Sequence, residues 1–403
     1  MPKEKTVDIA ALCSDYQMNT YNRTATVVRG KGSRVYAPNG NQYLDFTSGI
    51  SVVALGHAHP AVVEAIKGQA ETLVHSSNLF FNEPVGKLAQ QLSKRGLGGK
   101  VFLCNSGAEA NEAMIKLARL WGSQNGGRYE IVCMRQSFHG RTLATLSATG
   151  QSKIQNGFDP LMPGFAFATF NDLESVRAAV TDKTVGILLE CVQGEGGVVP
   201  GTPEFIQGVR ALCDEKKLLM LCDEVQCGMG RTGKMWAFQH YGVTPDLFTS
   251  AKALGGGLPL GALMASPALS DVFTPGSHGS TFGGNPVACA AALAVLKVFD
   301  DEKVIEHAAQ YGELFRKGLQ SFVEKYDQLL EVRGRGLLLG LVLKEEKAAD
   351  LIEELRNGGL LACSAGKNVV RLLPPLNLTD GDLDEGLEMI GDALDIVFGD
   401  DAE

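Results

Sequence analysis

Short apolar runs that alternate with helical segments constrain the fold of this chain more than any other feature. Six runs bounded by polar or turn-forming residues are typical of strands: residues 100–104, 130–134, 185–191, 218–222, 247–250 and 262–265. Helices are predicted over residues 108–121 and 203–215, and another begins at Asn285-Pro286, a cap-like residue before a proline. The alternation predicts an α/β fold, a large domain whose mostly parallel sheet is covered by helices.

The pattern changes after about residue 300. A charged helix is predicted over residues 301–326, followed by the apolar segment GRGLLLGLVL, a helix near 347–357, short strands near 360 and 369, and a helix near 382–397. We therefore predict a large domain over residues 51–299 and a smaller α+β domain over residues 300–403. Residues 1–50 contain short strand-like pieces and are predicted to pack with the small domain.

Composition and charge exclude several classes of protein. With 37 Lys and Arg against 46 Asp and Glu, the net charge of −9 argues against a nucleic-acid or anionic-membrane partner. The nine cysteines are odd in number, form no CxxC motif and lie mostly in apolar runs, as expected in a reducing compartment. The N-terminus has no apolar signal segment, and the longest apolar run, residues 287–296, is too short to span a bilayer. These features predict a cytoplasmic protein.

Chemically active residues follow five of the predicted strands. They are Ser106-Gly107-Ala108, Ser137-Phe138-His139-Gly140-Arg141, Gln193-Gly194-Glu195-Gly196-Gly197, Asp223-Glu224-Val225-Gln226 and Ala251-Lys252-Ala253. In an open parallel sheet, ligands bind beyond the carboxyl ends of the strands. Their joint placement therefore predicts a ligand site at one edge of the sheet.

Each of these residues also has an ordinary structural interpretation. Ser106 and Gly107 at a helix start suit a phosphate, but Ser106 could be a simple helix cap. Asp223 could keep a pyridine nitrogen protonated, or it could only form a turn. A desolvated Lys252 could be a nucleophilic amine, although most lysines are solvated. Phe138 could stack on a flat ring or belong to the core.

Two apparent motifs carry little weight. Gly228-x-Gly230-x-x-Gly233 matches a dinucleotide fingerprint but does not begin a helix, and Met235 stands where a P-loop needs Ser or Thr. His57 and His59 have no third ligand in view, so no metal site is predicted.

Seven sequence blocks in a fixed order identify a family resemblance. They are LDFTSGISVVALGHAHP, NSGAEANEAMIKLAR, SFHGRT, CVQGEGGV, LCDEVQCGMGRTG, TSAKALGGGLPLGA and HGSTFGGNPVACAA. From about Tyr21 to about residue 397, the chain resembles the class III, or ω-amino, branch of the pyridoxal-phosphate-dependent aminotransferases. The resemblance implies fold type I and pyridoxal 5′-phosphate as the cofactor.

By this resemblance, five residues surround the cofactor ring. Lys252 would bind it covalently and then move a proton between the substrate and the cofactor. Asp223 would pair with the pyridine nitrogen, and Gln226 would bond near the phenolic oxygen. Phe138 would stack on one face of the ring, and Val225 would pack on the other.

The resemblance also implies a shared phosphate site. Ser106, Gly107 and Ala108 would bind the phosphate of the chain's own cofactor. Thr281 would reach the phosphate of the neighbouring subunit, which implies a homodimer with shared active sites. Ala108 is often threonine in the family, and its methyl group removes one hydroxyl from this site.

The substrate residues follow from the same resemblance. Arg141 would hold a substrate carboxylate, with Ser280 beside the substrate. Arg371 would bind the α-carboxylate of glutamate, and Glu195 would neutralise Arg371 when an ω-amine occupies the site. Ile50 lies near the place where ornithine aminotransferases have a tyrosine, and its apolar side chain disfavours free ornithine.

The leading hypothesis is transfer of the δ-amine of N2-acetyl-L-ornithine to 2-oxoglutarate, a step of arginine biosynthesis. Alternatives within the family are 4-aminobutyrate and other ω-amino donors such as succinylornithine or an N-acetylated lysine analogue. A racemase, decarboxylase or aminomutase would retain Lys252, Asp223 and Phe138, but Arg371 together with Glu195 favours a transaminase with two substrates. Damage at Lys252 or the phosphate turn, expected of a non-enzymatic relative, is not seen.

Overall fold

The computed structural model describes residues 8–399. The N-terminal part contains one helix and three short strands, and the C-terminal part contains three helices and five strands. The N-terminal elements are α1 (Ile9–Tyr16), β1 (Arg29–Lys31), β2 (Arg34–Tyr36) and β3 (Gln42–Asp45).

The central part alternates helices and strands, as the sequence predicts. Its elements are α2 (Ser48–Ser51), α3 (Pro60–Thr72), α4 (Glu83–Arg95), β4 (Val101–Cys104), α5 (Gly107–Gln124), β5 (Glu130–Met134), α6 (Leu143–Ala148), α7 (Ser152–Gln155), β6 (Phe165–Ala168), α8 (Leu173–Ala179), β7 (Thr184–Leu189), β8 (Val192–Gln193), β9 (Val199–Pro200), α9 (Pro203–Lys216), β10 (Leu219–Asp223), β11 (Leu247–Ser250), β12 (Gly261–Ala265) and α10 (Pro286–Asp301). Short 3-10 turns lie at Ala237–Tyr241, Lys252–Gly255 and Pro267–Leu269.

The C-terminal elements follow without a long linker. They are α11 (Val304–Lys325), β13 (Leu329–Arg335), β14 (Leu338–Leu343), α12 (Ala348–Asn357), β15 (Leu360–Leu361), β16 (Cys363–Ser364), β17 (Val369–Leu372) and α13 (Asp380–Phe398).

A seven-stranded sheet forms the centre of the molecule, in the order β4-β12-β11-β10-β7-β5-β6. The pairs of β10 with β11 and β7, and of β5 with β7 and β6, are parallel, whereas β12 runs antiparallel to β11 and β4. Every residue of β7, β10, β11 and β12 is buried, as expected for strands covered on both faces by helices. The predicted mostly parallel α/β sheet is confirmed.

Two differences from prediction stand out in the central sheet. The predicted strand over residues 185–191 ends at Leu189, because the chain continues into the separate β8–β9 pair. Strand β6 was not predicted: its four residues, FAFA, lie at the sheet edge and are mostly half-buried. Helix α10 begins at Pro286 as predicted, where Asn285 Oδ1 accepts hydrogen bonds from the amides of Val287 and Ala288 at 3.0 and 3.3 Å.

Contacts join the N-terminal strands to the C-terminal part. Strand β3 pairs in parallel with β15, which completes the sheet β1-β2-β3-β15. Arg34 forms ion pairs with Asp382 and Glu385 of α13. A further sheet has the order β13-β14-β17-β16, and Arg371 lies in its strand β17. The division into domains at residues 50 and 300 stays a prediction.

Two findings apply to residues 8–399 as a whole. No helix in this range is both long and apolar enough to cross a bilayer. Nor does this range bring three or more His, Cys, Asp or Glu side chains together in a way that could hold a metal ion.

Candidate active site

A cavity of about 450 Å³ lies where the strand ends meet, a size typical of small-molecule sites. Nine of the predicted site residues line it: Ser106, Gly107, Ala108, Phe138, Arg141, Asp223, Val225, Gln226 and Lys252. The structure therefore brings nine of the candidate residues together around one cavity.

The start of α5 presents backbone N–H groups at this cavity. Ser106 is the N-cap, and its hydroxyl oxygen accepts a hydrogen bond from the amide of Glu109 at 3.1 Å. The ordinary interpretation of Ser106 as a cap is thus correct, but it leaves the first-turn amides of Gly107 and Ala108 without carbonyl partners in their own helix. Glycine is needed at 107, since a Cβ atom there would lie 2.7 Å from Cγ1 of Val225. The turn can therefore receive an anion at close range.

The Asp223 carboxylate is held by three hydrogen bonds. Its Oδ2 accepts from Asn111 Nδ2 at 2.7 Å and from His139 Nδ1 at 2.8 Å, and its Oδ1 accepts from the amide of Val225 at 3.0 Å. Thr249 extends the network, because its hydroxyl donates to Asn111 Oδ1 at 2.9 Å. The carboxylate is only 3% exposed, so these donors offset the cost of burying it.

Asn111 was not among the predicted site residues, and His139 was named only as part of the segment Ser137–Arg141, without a role of its own. Asn111 lies one helical turn after Gly107 on α5, and His139 follows Phe138, so both stand within the sequence blocks quoted above. The sequence does not show that these two side chains point toward Asp223, because only the fold determines their directions. His139 Nδ1 lies 2.8 Å from Asp223 Oδ2, and its Nε2 is buried without a partner among residues 8–399.

Lys252 begins the 3-10 turn that directly follows β11 and has a left-handed backbone with φ 48°. The pKa of its amine is lowered to about 8, chiefly by burial; Glu195 and Asp223 oppose this change, and the charge of Arg371 adds to it. A lysine in this state reaches its neutral, nucleophilic form near physiological pH. The structure therefore does not support the alternative of an ordinary solvated lysine.

We expect the lowered pKa of Lys252 to be visible as pH-dependent acylation of the cofactor-free protein. An ordinary lysine, with a pKa of about 10.4, becomes more reactive up to pH 10 or above. Lys252 should instead reach half of its maximal rate near pH 8, because the neutral amine is the reacting species. Pulse labelling with acetic anhydride and peptide mass spectrometry measures all lysines in one sample, so the other lysines are the control. A half-point above pH 10 for Lys252 would contradict this expectation.

A buried carboxyl group, Glu190, also lines the cavity and was not predicted. It accepts hydrogen bonds from the amides of Phe138 at 3.1 Å and Gly194 at 3.4 Å, and so joins two loops of the site. Burial raises the pKa of Glu190 well above its usual value, and the charge of Asp223 adds to this increase. Sequence analysis missed it because it lay inside the predicted strand over residues 185–191.

Glu195, Gln226 and Arg371 form a hydrogen-bonded group beside the cavity. Arg371 Nη1 donates to Glu195 Oε1 at 2.5 Å, to Gln226 Oε1 at 2.8 Å and to the carbonyl oxygen of Gly194 at 3.1 Å. Gln226 Nε2 donates to the same Glu195 oxygen at 3.1 Å. Burial raises the pKa of Glu195, but the charge and hydrogen bond of Arg371 outweigh this effect and lower it overall. The predicted Glu195–Arg371 pair is therefore formed in the structure.

The remaining predicted residues lie at the rim or outside the cavity. The Arg141 guanidinium is exposed and lies 5.5 Å from the ring centroid of Phe138. Ser280 Oγ accepts hydrogen bonds from Asn105 Nδ2 at 3.2 Å and from the amide of Gly283 at 3.0 Å. Thr281 is exposed and does not line the cavity, so its predicted role across subunits stays a prediction.

Comparisons with known proteins agree with this geometry. A family model described as Aminotransferase class-III matches residues 16–394. An acetylornithine aminotransferase from Caldanaerobacter subterraneus subsp. tengcongensis is 49% identical over 382 residues, which cover 94% of this chain and 97% of that protein.

Two solved structures are similar along nearly the whole chain. An N-acetylornithine aminotransferase from Stenotrophomonas maltophilia has a TM-score of 0.84 at 36% identity and covers 96% of this chain and 99% of its own. An ornithine aminotransferase from Toxoplasma gondii, with pyridoxal phosphate partly occupying its active site, has a TM-score of 0.93 at 33% identity. The match covers 97% of this chain and 94% of that chain.

Proposed function

We propose, from the premise that this chain belongs to the class III aminotransferase family, that it transfers the δ-amine of N2-acetyl-L-ornithine to 2-oxoglutarate. The products are N-acetylglutamate 5-semialdehyde and L-glutamate. The chain is a pyridoxal-phosphate-dependent transaminase of fold type I, as its sequence resemblance implied. The observation that carries the proposal is the Glu195–Arg371 pair beside Lys252, since it lets one pocket serve two kinds of amino donor.

The residues around the cavity fit pyridoxal phosphate. The first-turn amides of α5 suit its phosphate, and Gly107 leaves room for a close approach. The lowered pKa of Lys252 suits an amine that must react with an aldehyde, and the buried Asp223 carboxylate suits a protonated ring nitrogen. Phe138 and Val225, both in the cavity lining, provide apolar surface for the ring.

The cofactor, when bound, supplies an aldehyde that accepts the amine and a ring that accepts electrons from the breaking C–H bond. Lys252 would hold it covalently through Nζ, and that amine, once released, would carry the proton from the amine-bearing carbon. Asp223 would keep the ring nitrogen protonated, and Asn111 and His139 would fix the position of its carboxylate. Ser106, Gly107 and Ala108 would hold the phosphate.

The two substrates place different demands on one pocket. Arg141, at the cavity rim, would bind the carboxylate that both substrates carry at the end away from the reacting amine, because its planar fork matches that group. With the ω-amine donor bound, Glu195 would keep the buried Arg371 paired. With glutamate or 2-oxoglutarate bound, Glu195 would leave and Arg371 would pair with the α-carboxylate. Ser280 would lie beside the substrate.

We also propose a homodimer with shared sites. Large apolar side chains are exposed on two adjoining segments, one of which holds Thr281: Leu79, Phe80, Phe81 and Phe282 are 86%, 69%, 109% and 61% exposed. Asn78 Nδ2 donates to the carbonyl oxygens of Ser280 and Gly283 at 2.8 and 3.0 Å, which joins the two segments into one surface. A patch of this kind favours burial against a second subunit, and Thr281 would then reach the partner's phosphate.

Single-turnover titration of the cofactor-loaded protein tests the donor. N-acetylornithine, 4-aminobutyrate and ornithine are added in parallel, and loss of the yellow absorbance of the bound cofactor is followed. Rapid loss with N-acetylornithine and slow loss with the others supports the proposed donor. Rapid loss with 4-aminobutyrate alone would retain the chemistry and assign the chain to the alternative ω-amino donor.

Replacement of Glu195 by alanine should affect the two half-reactions unequally. We expect the rate constant with the ω-amine donor to fall about 10- to 100-fold, because Arg371 is left buried and unpaired in that state. The glutamate half-reaction should change less than about threefold, since the substrate itself then pairs with Arg371. Rapid-mixing absorbance measures both, with Glu324→Ala on an exposed helix face as the matched control. Equal losses would rule out a switching role for Glu195.

A further inference from the structure

The side-chain amide of Gln226 and the guanidinium of Arg371 act together as two donors to one carboxylate oxygen. Arg371 Nη1 and Gln226 Nε2 lie 2.5 and 3.1 Å from Glu195 Oε1. The amide orientation follows from chemistry, because Arg371 has no acceptor and the Glu195 carboxylate has no proton to donate. The Gln226 oxygen must therefore point to Arg371 and its nitrogen to Glu195.

The position of this amide is fixed by packing. Gln226 is 7% exposed, and Arg371 Nη1 holds its oxygen at 2.8 Å. A Cβ atom at Gly194 would overlap the Gln226 amide, so glycine at that position allows the two groups to lie against each other. Arg371 Nη1 is held in turn by the carbonyl oxygen of Gly194. The two donors consequently keep their spacing when the Glu195 side chain leaves.

We propose that Gln226, which the family resemblance places near the cofactor's phenolic oxygen, is also a substrate-binding residue: one N–H of its Nε2 donates to the α-carboxylate of glutamate and 2-oxoglutarate, and the other N–H stays available to the cofactor. The Glu195 carboxylate marks that position in this structure, and the substrate carboxylate replaces it on the same two donors. The exchange leaves Arg371 paired throughout, which avoids an uncompensated buried charge. This inference rests on the proposed function and adds a second carboxylate donor beside Arg371.

The two half-reactions should depend on Gln226 to different degrees. Glu195 is tethered to the chain and is already held by Arg371 at 2.5 Å, so the loss of one neutral donor changes its position little. The α-carboxylate of glutamate arrives from solution and loses one of its two charge-assisted hydrogen bonds entirely. Removal of the Gln226 amide should therefore lower the rate of the glutamate half-reaction more than that of the ω-amine half-reaction.

The experiment uses the cofactor-loaded enzyme with Gln226→Met, which retains the length of the side chain without a donor. We expect the second-order rate constant with L-glutamate to fall about 10- to 100-fold further than that with the ω-amine donor, because loss of a bond near the phenolic oxygen lowers both half-reactions alike. Glutarate, a dicarboxylate without amine or keto group, gives a readout that is independent of turnover. Its dissociation constant, from calorimetry, should rise by a similar factor. Gln310→Met, the same change at an exposed residue of α11, is the control.

A second variant, Gln226→Leu, also lacks a donor and adds no charge, and it should show the same pattern if the methionine variant fails to fold. Equal losses in both half-reactions, or an unchanged glutarate affinity, would overturn the role of Gln226. Failure of the proposed donor is distinguishable from this outcome. A wild-type enzyme that reacts with glutamate but not with N-acetylornithine contradicts the donor alone, and the glutamate and glutarate measurements still decide the role of Gln226.

Discussion

Replacement of Lys252 by alanine is expected to lower steady-state transamination by about 10⁴-fold or more while the chain stays folded and still binds pyridoxal phosphate. Lys252 is the amine that the cavity prepares for reaction: burial lowers its pKa to about 8, and it follows β11 at the edge where the other site residues gather. The variant loses both the covalent attachment and the group that moves the proton. The phosphate turn at Ser106–Ala108 and the Asp223 carboxylate are untouched and should still hold the cofactor.

The measurement is the steady-state rate with the ω-amine donor and 2-oxoglutarate, combined with absorbance titration of the cofactor. Lys317→Ala, at an exposed position of α11, is the matched control and should retain full activity. Transamination by the Lys252 variant at the rate of this control would refute the assignment of the catalytic lysine. Loss of cofactor binding together with a lowered melting temperature would indicate a structural role instead.

Replacement of Asp223 by asparagine should produce the second largest loss, about 10³-fold in turnover. Asparagine preserves the volume of the side chain but removes the charge that would keep the ring nitrogen protonated. It also disturbs the two donors on Oδ2, because an amide nitrogen in that position would face Asn111 and His139, which are themselves donors. Stability should fall by about 1–3 kcal/mol as buried donors lose their acceptor.

Activity per folded molecule separates these two effects. Asp246→Asn is the matched control: Asp246 Oδ2 accepts from Arg210 and from the amide of Met220, both at 2.8 Å, away from the cavity. We expect Asp246→Asn to cost stability but to retain turnover per folded molecule. If both variants lost turnover only in proportion to stability, Asp223 would be a structural residue and its proposed pairing with the cofactor would be wrong.

The sequence predicted those parts of the site that depend on strand order. Asp223 ends β10, whereas Ser106 and Lys252 lie two residues after the ends of β4 and β11. The carboxyl ends of parallel strands meet at one edge of a sheet. A correct strand pattern therefore brings these residues together without knowledge of any side-chain contact. The resemblance to a family then supplied the roles that position alone could not give.

The parts that escaped prediction depend on side-chain direction. Asn111 and Asp223 are 112 residues apart, and nothing in the spacing indicates that their side chains meet. Glu190 has the sequence context of a buried strand residue, so the sequence did not show that this residue lines the cavity. Strand β6 was missed because it has only four residues, at the edge of the sheet, and the sequence gives them no alternation of apolar and polar side chains. For Gln226, the sequence indicated proximity to the cofactor but gave no sign of its bonds to Glu195 and Arg371.

The antiparallel direction of β12 restricts the movement of the segment that carries Lys252. Because β12 runs back beside β11, with Ser250 opposite Ala262, the connection that carries Lys252 leaves and re-enters the sheet at the same edge. Lys252 therefore lies on a short connection whose two ends are both fixed in the sheet, by β11 and by β12. Arg371, in contrast, belongs to the separate sheet of β13, β14, β16 and β17. The distance between Lys252 and Arg371 is therefore set by how the two sheets pack against each other, and not by the connection between β11 and β12 alone.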